Sequence, residues 1–359
     1  MARFFKVVFE IVAILIVLAA IFIGVLSVLE YNPASSEPID IEGKTTRTLA
    51  QGDTLSMVSW NIGYGGLSPE ADFFMDGGKS VQSVSEPGVL SNISHIQAYL
   101  AEQAPDIILL QEVDVDSARS YNINQSRMIS NSFESNVYAS AFAYNFNVLF
   151  VPYPFPPIGK VNSGILTLSA FDAGTKAERI QLPCPFSWPV RVFNLKRCLL
   201  VERLPVATKD GTTKELVVIN LHLEAFDDGA GKEAQTAQLV KLLQSEYEKG
   251  NYVIAGGDFN QTFSTAETGA YPVQSEDIWQ CGHLDASVFG EHFSAVMDAA
   301  TPTCRSLDRP YDPTDEKFQY YMIDGFVVSD NIKINNLKTL DTGFEYSDHN
   351  PVRIEITLL

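Results

Sequence analysis

Along the chain, apolar residues fall into three patterns that predict three kinds of element. The first is a single long run: Ile11 to Leu29 is apolar at every position but Ser27. At about 1.5 Å of rise per residue it makes a helix of roughly 28 Å, close to the hydrocarbon thickness of a bilayer. The second is a series of short runs closed by polar residues. These are LSMVSWN (55–61), DIILLQE (106–112), SGILTLS (163–169), CLLVERLPV (198–206), ELVVINLHL (215–223), YVIAGGDFN (252–260), MIDGFVVS (322–329) and VRIEITLL (352–359). Their length and their Val, Ile and Leu content predict β-strands. Several are apolar at consecutive positions, which predicts strands covered on both faces. The third pattern is helical spacing, over 89–102 and over 232–249, where Ala237, Val240, Leu243 and Tyr247 share a face. Many strands with few helices predict an α/β fold of two packed sheets flanked by helices.

Charge orients the N-terminal run. Arg3 and Lys6 precede it, and Glu30, Glu37, Asp40 and Glu42 follow it. The positive-inside rule predicts a single-pass transmembrane anchor over residues 1–30, N-terminus cytoplasmic and the remaining chain outside. A cleaved signal peptide and a buried globular helix are the competing readings. Residues 31–53 are polar, with Pro33, Pro38 and Gly43, and predict a tether. No Pro/Gly-rich linker divides residues 54–359, which predicts one catalytic domain. Two stretches predict irregular loops: Leu67–Pro87, rich in Asp, Gly and Ser, and Tyr144–Lys160, which combines aromatics with four prolines. Loops of that length serve a site or a partner, or pack on their own aromatics.

Composition narrows the function. Of 359 residues, 46% are hydrophobic and 19% charged, enough apolar material for a sizeable core. A net charge of −19 excludes a broad basic surface that coats nucleic acid or an anionic bilayer. A bound divalent cation would still admit a phosphate-bearing substrate by inverting the local field. The four cysteines form no CxxC pair, which excludes a zinc finger. An outside location permits disulfides, with Cys184–Cys198 and Cys281–Cys304 as local pairs; four free thiols are the alternative.

The strand runs end on residues of one chemical kind. They are Asn61, Glu112, His222 with Glu224, Asp258 with Asn260, Asp324, and the Asp348–His349 pair. One polar residue at a strand end is normally a solvated terminus. A whole set of oxygen ligands and acid/base groups argues for shared work, and phosphate-ester hydrolysis is the chemistry it suits. Mg2+, with Mn2+ as the alternative, takes carboxylate and amide oxygens and neutralises phosphoryl charge. Glu112, Asp348 and the amide oxygen of Asn61 suit that ligand role. Asp258 beside Asn260 offers a base and a neutral donor, and His222 and His349 offer imidazoles for phosphoryl oxygens or a leaving group. His95, His283 and His292 lie outside this set. The Asn92 and Asn124 sequons matter only if the chain follows a eukaryotic secretory route.

In order, the elements WNIG, LLQEVD, GDFN and SDHNPV resemble the endonuclease/exonuclease/phosphatase superfamily, which includes deoxyribonuclease I, abasic-site endonucleases, neutral sphingomyelinases and inositol polyphosphate 5-phosphatases. The resemblance implies a four-layer α/β/β/α sandwich with the site at one edge of the two sheets. It implies Glu112 as principal metal ligand, with Asn61 and Asp348 near metal or phosphate. Asp258 would orient or deprotonate water, Asn260 hold a phosphoryl oxygen, and His349, oriented by Asp324, stabilise the pentacoordinate phosphorus. His222 would be the leaving-group acid, and Arg197 a phosphate contact. Asn162, a second expected substrate contact, and Ser163 occupy the segment where deoxyribonuclease I carries a tyrosine and an acidic residue near its histidine; that acid is missing here, and so is the GNKG signature of the inositol phosphatases. The implied function is a membrane-anchored, Mg2+-dependent hydrolase of phosphate esters, acting on lipid head groups, nucleic acid or a small phosphodiester. The alternatives are an extracytoplasmic nuclease and a non-catalytic binding module on the same fold. No protein partner is legible.

Overall fold

The consecutive apolar runs become strands buried on both faces in the structure, a computed structural model in which residues 1–134 and 136–359 are described. In chain order the main elements are α1 (Ala2–Val28), β1 (Ser36–Glu42), β2 (Thr54–Asn61), α2 (Glu86–Gln103), β3 (Ile107–Asp114), β4 (Ala139–Val151), β5 (Gly159–Ser169), β6 (Lys176–Gln181), β7 (Cys198–Ala207), β8 (Thr213–His222), α3 (Ala230–Glu248), β9 (Tyr252–Asp258), β10 (Phe293–Val296), β11 (Asp324–Ser329), β12 (Ile332–Thr339) and β13 (Val352–Leu358). One sheet runs β10-β11-β9-β8-β7-β6 and the other β4-β5-β3-β2-β13-β12, with β1 joining them.

The two sheets pack face to face. Met57, Leu109, Ile354 and Ile356 of one meet Leu204, Leu216, Val218, Ile254 and Phe326 of the other. The neighbouring residue on each strand points the opposite way, as the two-residue strand period requires. Val58, Trp60, Ile108 and Leu110 therefore lie under Val89, Ile93, Ile96 and Leu100 of α2. Val217, Ile219, Val253 and Ala255 lie under Leu239 and Leu243 of α3. The order of layers is helix, sheet, sheet, helix, the expected four-layer sandwich. Helix α2 starts where Ser85 accepts a hydrogen bond from the Gly88 amide at 3.1 Å, a side-chain N-cap followed by Pro87 in the first turn.

Two expectations change, and one open alternative is decided. The polar stretch 31–53 is not a free tether: Ser36–Asp40 pair with β6 and Ile41–Glu42 with β4, so the folded unit begins well before residue 54. Only Ile39 and Ile41 supply apolar surface there, packing beside Ala141, Ala177 and Leu200, too weak a pattern to read as a strand. The aromatic and proline-rich stretch is a hairpin: Tyr144–Val151 continue β4, Gly159 begins β5, and only 152–158 form the tip. The four cysteines are free thiols. Helix α1 is long and apolar enough to cross a membrane, and only 6% of its apolar window is buried in the protein, which disfavours a core helix.

Candidate active site

Sheet register assembles half of the site. Asp258, the last residue of β9, stands beside His222 at the end of β8 and opposite Asp324 at the start of β11. The second sheet brings Asn61 at the end of β2 and Glu112 near the end of β3. A bulge lies between Leu110 and Val113, and Glu112 itself adopts φ +53. A left-handed glutamate inside a bulge is a re-aimed side chain, a strain that strands tolerate mainly beside functional sites. The Asp348–His349 turn is fastened to β2, because Ser347 Oγ donates to the Asn61 carbonyl at 2.8 Å and Trp60 Nε1 to the His349 carbonyl at 2.8 Å.

One cleft is lined by Asn61, Glu112, Arg197, His222, Glu224, Asp258, Asn260, Asp348 and His349. Asn61 Nδ2 lies 3.2 Å from Glu112 Oε1 and 3.1 Å from Asp258 Oδ2. His349 Nδ1 lies 2.8 Å from Asp324 Oδ2, and its Nε2 is 3.9 Å from both Asp258 and Asp348. Burial opposes charging of His349, yet the carboxylates of Asp324 and Asp348 raise its pKa well above the usual range, which favours the imidazolium. Asp258 is pushed up to about 7 by burial and by the charge of Asp324. Glu112 is raised by burial and Asp348, although Arg119 opposes the rise.

His222 behaves differently from its neighbour. Its Nε2 is 3.4 Å from Asp258 Oδ2, while its buried Nδ1 has no partner among the described residues. Burial and the cations Arg197 and His349 hold its pKa well below the usual range, so the imidazole is neutral. It can offer one N–H to a leaving oxygen but does not start as an imidazolium. Asn260 donates its amide to the Leu223 carbonyl at 2.9 Å. Arg197 is 3.3 Å from Glu224 and donates to the His222 carbonyl, which makes it a buttress of the β8 end as well as a cleft residue.

Asn162 is a correction. Strand alternation on β5 turns it away into a separate polar cleft, and Ser163 faces the site, 3.4 Å from Arg119. Arg119 itself was not legible in the sequence. It forms two hydrogen bonds with Asp114 at 3.0 and 3.1 Å, stacks on Tyr64 at 3.9 Å, and reaches within 3.8 Å of Glu112. It lies in a three-residue 3-10 turn, Ala118–Ser120, too short to show periodicity, and no sequence signal marks it. The Leu67–Pro87 loop contributes a wall of Phe73, Phe74, Met75 and Asp76. The Asp76 carboxyl is pushed up to about 8 by burial, Asp348 and Glu112.

These carboxyls fit a hard divalent cation. Asp76, Glu112 and Asp258 all resist ionisation through burial, and each is further raised by a neighbouring carboxylate. A bound cation relieves that repulsion.

A tight turn closes the site. Gly63 has φ +50, and a Cβ there would come within 2.8 Å of Asp348 Oδ1 and 3.0 Å of Leu67 Cβ. Gly63→Ala is therefore expected to cost about 1–2 kcal/mol of stability and at least about tenfold in turnover, by strain and by displacing Asp348. Urea midpoint and turnover measured together test this; an unchanged turnover would show that Asp348 does not need its present position.

A model of the Endonuclease/Exonuclease/phosphatase family matches residues 58–349. The chain belongs to that family. Its members hydrolyse phosphoric esters, and the protein is an enzyme of this class. Solved structures share the endonuclease/exonuclease/phosphatase fold at low identity. A family protein from Beutenbergia cavernae is 17% identical with a TM-score of 0.56, covering 85% of this chain and 72% of its own. ANGEL2, a 2',3'-cyclic phosphatase, is 15% identical with a TM-score of 0.55, covering 89% and 98%. TDP2 from Caenorhabditis elegans is 14% identical with a TM-score of 0.50, covering 86% and 75%. A comparison with curated protein sequences finds no match.

Proposed function

We propose that the protein is a membrane-anchored, Mg2+-dependent phosphodiesterase whose catalytic domain works on the extracytoplasmic side, with Mn2+ able to replace Mg2+. The observation that carries this reading is the convergence of Glu112, Asp258, Asp348 and His349 from both sheets on one cleft. Glu112 and Asp348 would hold the cation, which supplies neutralisation of phosphoryl charge when bound. Asn61, expected as a ligand, presents Nδ2 to Glu112 and Asp258 while its oxygen accepts from the Gly63 amide at 3.0 Å, so it positions the carboxyls instead. Asp258, raised to about 7, is matched to taking a proton from water near neutral pH. The His349 imidazolium, steadied by Asp324, offers Nε2–H to a phosphoryl oxygen, and His222 offers its N–H to the leaving oxygen. Arg119 adds a fixed positive charge beside Glu112. Arg3 and Lys6 before the span and acids after it support a cytoplasmic N-terminus.

A nuclease reading has less support, because the chain carries −19 net charge and the cleft has an extensive apolar wall. A silent binding module would not need Glu112, Asp258 and His349 all kept in working arrangement.

The test uses the full chain in detergent micelles with bis(p-nitrophenyl) phosphate. Hydrolysis should appear with Mg2+ or Mn2+, disappear with EDTA, and return on adding excess metal. A folded protein that cleaves no phosphodiester under any metal would overturn the proposal.

A further inference from the structure

The apolar wall of the cleft and the seat of the anchor are the same piece of the fold. Phe146, Val151, Tyr153 and Ile158 of the β4–β5 hairpin, with Val190 and Phe193, line one side of the cleft. On the same hairpin, the Phe150 ring meets Phe22 of α1 edge-on, with centroids 5.9 Å apart. Ile23 and Leu26 pack with Val192 and Phe193. Trp188 Nε1 donates to Ser27 Oγ at 2.9 Å, and Glu30 pairs with Lys196 at 3.0 Å and Arg191 at 3.4 Å. The domain is therefore held flat against the end of α1.

Depth along the helix gives this contact its meaning. Phe22 precedes the helix end at Val28 by six residues, roughly 9 Å at about 1.5 Å per residue. With Ile11–Leu29 as the span, Phe22 sits inside the hydrocarbon, and Phe150 sits there beside it. The hairpin runs on past Phe150 to a tip whose Phe155 is 97% exposed, with Leu149 47% and Trp188 57% exposed nearby. Neither residues 144–158 nor residues 182–190 contain a single charge. Pro152, Pro154, Pro156 and Pro157 also remove backbone N–H groups from the tip, so it can enter an apolar medium with few donors left unsatisfied. An aqueous surface would instead leave Phe155 fully hydrated with nothing to offset it.

We propose that residues 149–158 and 186–190 form a docking surface that dips into the outer leaflet beside α1, so that the cleft opens onto the bilayer and takes its phosphodiester from a lipid head group there. This rests on the membrane-anchored phosphodiesterase reading and adds the surface and the source of substrate. Trp188 and Tyr153 are then interfacial aromatics, polar edge outward and ring inward. The span from tip to catalytic carboxyls is a wall of apolar side chains, along which a lipid can rise with its chains still covered.

The test reconstitutes the full chain in phosphatidylcholine vesicles containing sphingomyelin. In one arm, Phe155→Trp is compared with Val288→Trp, a position exposed on another part of the domain. Brominated lipid should quench the Phe155→Trp signal at least about twofold and leave the Val288→Trp signal unchanged. Equal, water-like emission from both would mean that the helix holds the domain clear of the bilayer, and would overturn the docking surface. In the other arm, the double variant Leu149→Ser, Phe155→Ser should hydrolyse bis(p-nitrophenyl) phosphate within about twofold of the parent and vesicle lipid at least about tenfold more slowly. Loss on both substrates alike, or on neither, would overturn it. A parent that cleaves the soluble diester but neither lipid would overturn the lipid substrate. A parent that cleaves no diester at all would sink the enzymatic reading, while the quenching arm still reports on docking.

Discussion

Asp258→Asn is expected to lower turnover at least about a hundredfold while leaving the protein as stable as the parent or more so. The carboxylate is buried, 3.1 Å from Asn61 and 3.4 Å from His222, and repelled by Asp324, which together push its pKa to about 7. Each step of raised pKa is a measure of how much the fold disfavours the charge the chemistry needs. Asparagine keeps the shape and an acceptor oxygen, removes the charge, and cannot accept a proton from water. His349→Ala should cause a similar loss of turnover with the opposite stability effect. Its removal leaves the buried Asp324 carboxylate without the partner at 2.8 Å, a cost of about 1–3 kcal/mol. Turnover and urea unfolding of the two variants, measured side by side, check both halves. Near-parental turnover in either variant would contradict the role assigned to it.

The second large effect lies far from the cleft. Glu202 on β7 is opposite Val218, with Leu200 and Leu204 on the same face, so its side chain points between the two sheets. It is 1% exposed, neither carboxyl oxygen has a hydrogen-bond partner among the described residues, and burial alone pushes its pKa from 4.5 to about 8. Below pH 4.5 the folded and unfolded chains both keep the proton, and the residue carries no pH-dependent penalty. As pH rises from 4.5 to about 8, the unfolded chain ionises while the folded one does not, so stability is lost across that window and levels off above it. The difference corresponds to something on the order of 5 kcal/mol. Glu202→Met should therefore match the parent most closely near pH 4.5 and exceed it increasingly up to pH 8. Urea midpoints across that range test the sign; a gap independent of pH would mean that Glu202 finds a partner after all.

The site was legible where its chemistry coincides with the end of an apolar run. Asn61, Glu112, His222 and Asp258 are of that kind, Asp324 stands at the start of its run, and sheet register does the rest by setting these strand termini side by side. Helices were legible to within a few residues, 89–102 against Glu86–Gln103 and 232–249 against Ala230–Glu248. The buried face of α3, however, runs through Gln235, Leu239, Leu243 and Glu246 and leaves Ala237 exposed, not the stripe of Ala237, Val240, Leu243 and Tyr247 that the spacing suggests. What depends on a single residue's facing was not legible. Asn162 and Ser163 are adjacent and both polar, and only the strand's alternation decides that Ser163 meets Arg119. Arg119 sits in a short 3-10 turn, Ala118–Ser120, just after β3, and its bidentate contact with Asp114 five residues earlier turns it back to Glu112, a chain reversal with no apolar periodicity to mark it. Strand β1 escaped for a different reason: its partners on β4 and β6 are about a hundred residues away or farther, and its own composition is that of a linker.

That same strand decides how a soluble fragment must be cut. A chain begun at residue 44 discards Ser36–Glu42 and leaves β4 and β6 each with a bare row of amides and carbonyls, an invitation to pair with another molecule. A fragment begun between Tyr31 and Ser35 keeps the seam closed. With detergent present to cover the apolar surface that α1 leaves behind, the first should form oligomers during purification and the second should elute as a single species.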